Sequence, residues 1–254
     1  MNETLKTIYD LHTTHGNFTS QPIDDELIKI ILDACVRGAN ASNRQSYSVV
    51  VIHGEDKVQS IISCGEKSPV ALLFCADFNR IYDIGEYLGY PSDYDNLFNY
   101  LTAHTDAVIA AQTAVIAAAS LGLGCMYTNS IHNVFRKNLS DLYDELCLPD
   151  KHCFPVTAVL LGYEEKEPDY SVGRLKDTGI VHKDSYKFMT SEQKRDIISI
   201  VNNPDNHFGF KGECDTYLEF FYTKWAPPLS SEKKKKIDEV LYSKIADFLA
   251  SEAK

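Results

Sequence analysis

The chain has 254 residues, of which 44% are hydrophobic and 24% are charged, a composition typical of a globular protein rather than a disordered one. Its formal net charge of -11 at pH 7 argues against a general surface for nucleic acid or for an anionic membrane, because such surfaces need basic side chains. A local basic pocket for a small anionic ligand is still compatible with this charge.

Cysteine usage and the longest apolar stretch indicate the compartment. The seven cysteines are odd in number and none forms a Cys-x-x-Cys pair, which favours buried reduced thiols in the cytoplasm over a metal cluster. The N-terminus has no basic region followed by an apolar stretch, so no secretory signal is predicted. The stretch Ala107 to Leu123 is interrupted by polar residues and predicts a buried core helix rather than a membrane span.

In the first half of the chain, hydrophobic periodicity predicts three helices and two strands. They are a helix at Leu5–His12, a helix from Pro22 to about Val36, a strand at Ser48–His53, a helix at Glu55–Ile62 and a strand at Val70–Ala76. In the second of these helices, apolar residues at helical spacing predict one buried face, made by Leu27, Ile30, Ile31 and Ala34.

The second half of the chain predicts a long central helix, a further strand and a helical tail. The elements are a helix at His104–Leu121 that ends at Gly122, a helix at Asn133–Cys147, a strand at Pro155–Leu161, a helix after the capping box Thr190-x-x-Gln193, and a terminal helix from Ser231. No repeat or long linker divides the chain. We therefore expect a core of residues 1–190 and a helical C-terminal extension, 191–254, of the same domain.

A small, amide-rich segment, Gly38–Tyr47, lies between a predicted helix and a predicted strand. In such a setting polar side chains and open backbone groups must find partners. A planar heterocycle rich in carbonyl and N–H groups would satisfy them. The alternative is an ordinary helix-to-strand loop whose amides cap their own backbone.

Four segments, taken in order, resemble the FMN-dependent nitroreductase family. They are His12–Phe18, Ala39–Tyr47, Gly122–Ser130, and Pro155–Gly162 followed by Gly173-Arg174-Leu175. The resemblance spans about Leu5 to His182. It implies an α+β fold, a three-layer α/β/α sandwich with a mainly antiparallel central sheet, and a homodimer with two FMN sites at its interface.

The resemblance also implies which residues hold the flavin. The His12, Thr14, Gly16 and Arg174 positions would surround its phosphate and one ring edge, the Asn40–Asn43 strip would come from the partner subunit, and the Tyr127–Ser130 loop would cover the ring. The full set of implied cofactor-binding residues is His12, Thr13, Thr14, Gly16, Asn40, Ala41, Asn43, Gln45, Tyr127, Thr128, Asn129, Ser130 and Arg174. No catalytic side chain or metal is implied, because the flavin carries the chemistry.

The implied activity is reduction of nitroaromatic, quinone or similar flat electron-poor acceptors by a ping-pong mechanism, with NADH or NADPH as electron donor. Three alternatives stay open. One is a specialised relative such as a reductive dehalogenase, another is a flavin-binding or redox-sensing protein with little turnover, and the last is an interaction protein that uses the aromatic tail Tyr217–Trp225.

The phosphate-binding positions depart from the family pattern. His12 and Gly16 stand where relatives place basic residues, and Val172 occupies a site that is often basic. A hydrogen bond to a charged group is worth about 1.5–3 kcal/mol, so FMN binding should be weakened unless other groups replace these contacts. Arg174 is retained and can bind a phosphate in bidentate fashion.

Overall fold

A computed structural model describes residues 1–90, 96–135, 139–166, 174–175, 179–203 and 214–249. The chain divides into two compact units, which are Met1–Lys166 together with Glu232–Lys254, and Glu167–Ser231. This division differs from the expected boundary at residue 190, which stays a prediction.

The first unit is built on a four-stranded antiparallel sheet of order β1-β2-β4-β3. The strands are β1 (Tyr47–His53), β2 (Val70–Asp77), β3 (Gly124–Thr128) and β4 (Cys153–Gly162). The three predicted strands are confirmed. The prediction missed β3, which has only five residues, begins at a glycine and lacks the long apolar run of β2 and β4.

Both faces of the two central strands are buried. Along β2, alternate residues enter two separate cores, with Leu72 and Phe74 in one and Leu73 and Cys75 in the other. A bulge lies opposite the Phe74–Cys75 step, where the register of β4 skips one residue. Because one extra residue reverses the side-chain alternation, Val156 and Val159 of β4 enter the same core.

Helices cover both faces of this sheet, which confirms the three-layer prediction. The helices of the first unit are α1 (Glu3–Asp10), α2 (Asp25–Cys35), α3 (Glu55–Ile62), α4 (Asn79–Tyr87), α5 (Leu97–Ser120), α6 (Leu139–Leu146) and, after the second unit, α9 (Ser231–Leu249). The core that contains Leu72 is shared with α2 and α5, and the core that contains Leu73 is shared with α3 and α6.

Three helix predictions need correction. The buried face of α2 is formed by Ile28, Ile31 and Cys35, whereas Ile30 is exposed. Helix α5 begins at Leu97 rather than His104, because the Asn96 side chain accepts from the Asn99 N–H and caps an earlier turn. Helix α6 begins at Leu139, and the described residues before it, 133–135, form a turn instead of the predicted first helical turn.

The alanines of α5 let it lie close to the sheet and to α2. Ala107, Ala110 and Ala114 are fully or almost fully buried, as predicted for an internal helix. A Cβ added at Gly38 would stand 3.1 Å from Thr113 Oγ1 and 3.3 Å from Ile109 Cγ2, so the chain after α2 also runs against α5. Helix α4, which no pattern predicted, has no buried residue.

The predicted terminal helix is confirmed as α9, and it returns to the first unit. Phe248 is fully buried, with its ring centroid 5.7 Å from that of Phe78 and 5.1 Å from that of Tyr100. Its carbonyl accepts a hydrogen bond from His152 Nδ1 at 3.1 Å. Through Phe248, α9 thereby contributes to the core that contains Leu72 and that is shared with α5.

The second unit contains α7 (Ser191–Val201) and the short α8 (Tyr217–Phe220), which a π-turn, Phe221–Trp225, continues. The capping box predicted at Thr190 is present, with both of its reciprocal hydrogen bonds. The rings of Phe221 and Trp225 pack at 5.9 Å.

All seven cysteines are free thiols, four of them buried. In the parts of the chain that the structure describes, no helix combines the length and apolarity that a membrane crossing requires.

Candidate flavin site

The segment His12–Phe18, which contains the predicted phosphate-binding residues, lies along the edge of the sheet where β3 begins and β4 ends. The Thr14 N–H donates to the Cys125 carbonyl at 2.9 Å, and Phe18 forms an isolated antiparallel bridge with Glu164. The Thr14 side chain is buried, whereas His12, Thr13 and Gly16 are exposed. The structure therefore brings the start of the chain to the ends of two strands.

The carboxylate of Glu164 accepts hydrogen bonds from two side chains of this segment. His12 Nε2 lies 2.9 and 3.0 Å from the two carboxylate oxygens of Glu164, and Thr14 Oγ1 donates to Glu164 Oε1 at 2.5 Å. Only 17% of the Glu164 side chain is exposed. Two residues that the family resemblance assigns to the flavin phosphate thus bind an internal anion.

Two glycines make room for these contacts. A Cβ on Gly124 would stand 2.5 Å from both Glu164 Cγ and Thr14 Oγ1, so only a glycine allows this close approach. Gly16 has a φ of +58°, and a Cβ there would meet Glu66 Oε2 at 3.1 Å. Glu66 is a second carboxylate beside the segment, 3.9 Å from His15 Nδ1.

Substitution of Gly124 by alanine should lower the free energy of unfolding by about 1–3 kcal/mol, the usual cost of overpacking a filled site. The reason is that neither Thr14 Oγ1 nor Glu164 Cγ is the free end of a flexible chain. Urea denaturation of Gly124→Ala, Glu164→Ala and the double variant measures the coupling. The double variant should cost clearly less than the sum of the singles, and simple additivity would contradict this packing.

The segment Gly38–Tyr47 has an unusual backbone. Ser42, Asn43 and Gln45 all have positive φ values, of 53°, 55° and 51°. Residues other than glycine rarely adopt this left-handed conformation, and asparagine tolerates it best. Such strain persists only where the surrounding structure enforces it, and it concentrates at functional sites.

A buried aspartate of α5 holds both ends of this loop. Asp106 is 2% exposed, and its two carboxylate oxygens accept from the Ala41 N–H at 3.0 Å and the Ser46 N–H at 3.3 Å. A charge-assisted hydrogen bond from each end fixes the loop on the helix. Sequence reasoning missed this residue.

Inside the loop, the amides bind one another. The Gln45 N–H donates to Asn40 Oδ1 at 3.2 Å, and Gln45 Nε2 donates to Asn43 Oδ1 at 3.4 Å. The alternative of a self-capping loop therefore describes part of what is observed. Each side-chain amide offers two donors and a two-lone-pair acceptor, so these single contacts leave capacity for a ligand.

Two surface hollows lie on adjoining faces of α5. One, of about 260 Å³, is lined by Ala39–Ala41 and by helix residues that include Thr105 and Ile109. The other, of about 280 Å³, is lined by Tyr127–Asn129, by two residues of β4 and by His104 and Val108. Within one copy of the chain, the two predicted flavin-binding strips therefore line separate hollows.

The pKa values of two histidines, His104 and His132, are lowered. Burial lowers the pKa of His104, which lines the second hollow, and burial also lowers the pKa of His132 despite its bond to a carbonyl. His132 Nε2 must carry a proton, since it donates to the Pro155 carbonyl at 2.7 Å. Both rings are therefore neutral at pH 7, and His104 is a lining residue that sequence reasoning did not propose.

The remaining predicted residues are placed as follows. Thr128 is buried in β3, its carbonyl accepts from Thr157 Oγ1 at 3.3 Å, and its hydroxyl donates to Ser130 Oγ at 3.0 Å. Arg174 belongs to the second unit and is exposed. Val172 lies outside the described residues. The roles of these residues toward a flavin stay predictions.

Comparison with known proteins identifies the family. Residues 12–163, more than half of the chain, match the model of the nitroreductase family. The chain belongs to the nitroreductase family. It is 30% identical over 198 residues to the FMN reductase (NAD(P)H) of Bacillus subtilis, which covers 73% of this chain and 75% of that protein. The chain is also 29% identical over 184 residues to the oxygen-insensitive NADPH nitroreductase of Salmonella typhimurium, with 69% of this chain and 72% of that protein covered.

A solved structure supports the fold. A putative oxidoreductase from Bacteroides fragilis superposes with a TM-score of 0.79 at 23% identity, covering 97% of this chain and all of that one. The predicted family and fold class are confirmed. The predicted enzyme class and cofactors, an NAD(P)H-dependent FMN oxidoreductase, agree with the names of the curated relatives.

The candidate site of this chain fits the two ends of an FMN molecule unequally. The strained, amide-rich loop and the hollow at Tyr127–Asn129 offer amide groups and apolar walls that suit a planar ring. At the other end, the donors His12 and Thr14 already bind Glu164, so this arrangement does not fit an anionic phosphate.

Proposed function

We propose that this member of the nitroreductase family is an FMN-dependent oxidoreductase that passes electrons from NADH or NADPH to nitroaromatics, quinones or similar flat, electron-poor acceptors. The observation that carries the proposal is the pairing of a strained amide-rich loop with a hollow beside β3, because both suit a planar heterocycle. A bound flavin supplies the hydride chemistry, so the protein needs to supply only position and electrostatics.

We further propose that two copies of the chain complete each site. Successive helix residues turn by about 100°, so His104 and Val108 line one hollow and Thr105 and Ile109 line another on an adjoining face of α5. Each hollow also lies below the ~300–1,000 Å³ of typical ligand pockets. In a homodimer the Asn40–Asn43 strip of one copy would face the Tyr127–Asn129 hollow of the other.

Exposed apolar side chains support this pairing. On α5, Phe98 is 73% exposed and Leu101 is 56% exposed, and Leu97 and Val108 are exposed as well. A contiguous apolar surface on a helix indicates a protein interface. Covering it with a second copy would also exclude water from the flavin ring.

Named residues have defined roles in this proposal. Asp106 holds the loop in its strained form, and Asn43 and Gln45 present amide groups to the ring. His104, neutral because burial lowers its pKa, leaves the hollow uncharged for a flat acceptor. The ping-pong order follows from one shared face, on which nicotinamide and acceptor would stack in turn. A cytoplasmic location stays a prediction.

A flavin-binding protein with little turnover is the second candidate. Gly16 favours it, because relatives place a basic residue there, and the resemblance implies that this charge stabilises the negative charge that a flavin gains on reduction.

Spectra of the protein loaded with FMN separate the candidates. Under anaerobic conditions, NADH or NADPH should bleach the visible flavin band within a single turnover, and a nitroaromatic or a quinone should restore it. Parallel double-reciprocal plots would establish the ping-pong order. A bound flavin that neither nucleotide reduces would favour the second candidate, and a protein that binds no flavin would contradict both.

A further inference from the structure

We propose that Glu164 determines flavin specificity and that this chain binds riboflavin, the flavin without a terminal phosphate, at least as tightly as FMN. The inference rests on the proposed flavin site and names the ligand class that the site selects. It concerns the end of the flavin chain remote from the ring, where His12–Asn17 meets the ends of β3 and β4.

The side-chain donors of Thr14 and His12 are already in use. A threonine hydroxyl has a single proton to donate, and Thr14 gives it to Glu164 Oε1. His12 Nε2 contacts both oxygens of the same carboxylate, while His12 Nδ1 lies 3.1 Å from the Asp10 carbonyl. Of the side chains that the resemblance assigns to the phosphate, His12 and Thr14 are therefore committed to an anion that the chain itself supplies.

Two carboxylates, those of Glu164 and Glu66, bring negative charge to this end of the site. Glu164 places a carboxylate among the residues that the resemblance assigns to the phosphate, and the carboxylate of Glu66 lies beside Gly16, another of these residues. Neighbouring like charges in a partly buried site repel strongly. Binding FMN here requires either the displacement of Glu164 or the protonation of an acid, whereas riboflavin meets neither cost.

The surrounding structure opposes displacement of the Glu164 side chain. The Glu164 backbone bridges to Phe18, and its side chain packs against Gly124 so closely that a methyl group would overlap Cγ. The neighbouring Glu165 N–H donates to the Asn17 carbonyl at 2.8 Å, which anchors the following residue to the same segment. The carboxylate is thus held from both sides instead of lying free on a loop.

The same groups suit the terminal hydroxyl of riboflavin. The polyol chain of riboflavin ends in a neutral hydroxyl, which can donate to a carboxylate and accept from a histidine or a threonine. Carboxylate acceptors such as Glu164 and Glu66 form strong, charge-assisted hydrogen bonds with such hydroxyls. The arrangement that opposes a phosphate is therefore complementary to an alcohol.

Fluorescence titrations of the flavin-free protein with riboflavin and with FMN test the inference without relying on turnover. In the natural protein we expect the Kd for riboflavin to equal or lie below the Kd for FMN. In Glu164→Gln, which keeps hydrogen-bond acceptors but removes the charge, the Kd for FMN should fall by about tenfold while that for riboflavin changes little. Glu165→Gln is the matched control, since this neighbouring, exposed residue loses the same charge.

Each result is decisive. FMN binding tenfold or more tighter than riboflavin in the natural protein would overturn the inference and leave the proposed function standing, and this comparison needs no variant. An equal response of Glu164→Gln and Glu165→Gln would also overturn it, because net charge rather than position would then be responsible. A protein that binds neither flavin would overturn the proposed function as well.

Discussion

Replacing Asp106 by alanine should cost about 3–5 kcal/mol of stability, because two hydrogen bonds to a buried carboxylate are lost and the Ala41 and Ser46 N–H groups are left without an acceptor. For a chain of this size the melting temperature should fall by roughly 10 °C. The strained loop would relax with it, so flavin affinity should fall by about tenfold or more. Thermal melts and flavin titrations measure both effects.

Two other variants bracket this result. Asp106→Asn keeps the shape and one acceptor, so its loss of stability should be about half as large. Asp33→Ala removes an exposed aspartate whose partner is Lys29 on the same helix, and it should change stability by less than about 0.5 kcal/mol. Equal effects of Asp106→Ala and Asp33→Ala would show that Asp106 does not anchor the loop.

Leu101→Glu should convert the proposed dimer into a monomer. Leu101 and Phe98 project from one stretch of α5, and a glutamate there would bring two like charges into an apolar contact in both copies. Such a juxtaposition costs several kcal/mol, so the dissociation constant should rise by about 100-fold or more. Light scattering at a series of concentrations measures the mass.

If the site is shared as proposed, the flavin should be lost together with the dimer, because each hollow is smaller than the ~300–1,000 Å³ of typical ligand pockets. Tyr242→Glu is the control, since Tyr242 is 69% exposed on the charged surface of α9. A Leu101→Glu variant that keeps the mass of the natural protein would contradict the assignment of this helix to the interface. A monomeric variant that still binds flavin at full affinity would contradict the shared site.

Much of the fold was predictable because burial imposes a period on the sequence. Helix α3 has the predicted bounds, and β2 and β4 are continuous apolar runs because helices cover both of their faces. Strand β3 escaped prediction because five residues that begin with Gly124 have no strand-like pattern of their own, and pairing with β4 defines them. On α2, Ile30 shows that an apolar residue at helical spacing need not be buried.

The candidate site was predictable only where local chemistry is visible in the sequence. The amide-rich loop was identified from its composition, and Asp106 could have been noticed as a charge within an alanine-rich helix. Glu164 gave no such signal, because it opens a run of charged residues that reads as a solvated turn. Its contact with Thr14 joins residues 150 positions apart, which only the fold brings together.

Subunit mixing tests the shared flavin site most directly. Ala41→Trp should fill the hollow beside the loop, and Asn129→Trp should fill the hollow beside β3, so that each homodimer binds no flavin. After the two are mixed and their subunits exchanged, we expect about a quarter of the sites to bind flavin, because each hybrid dimer has one site free of both substitutions. A mixture that exchanges subunits and still binds none would contradict a site built from two copies.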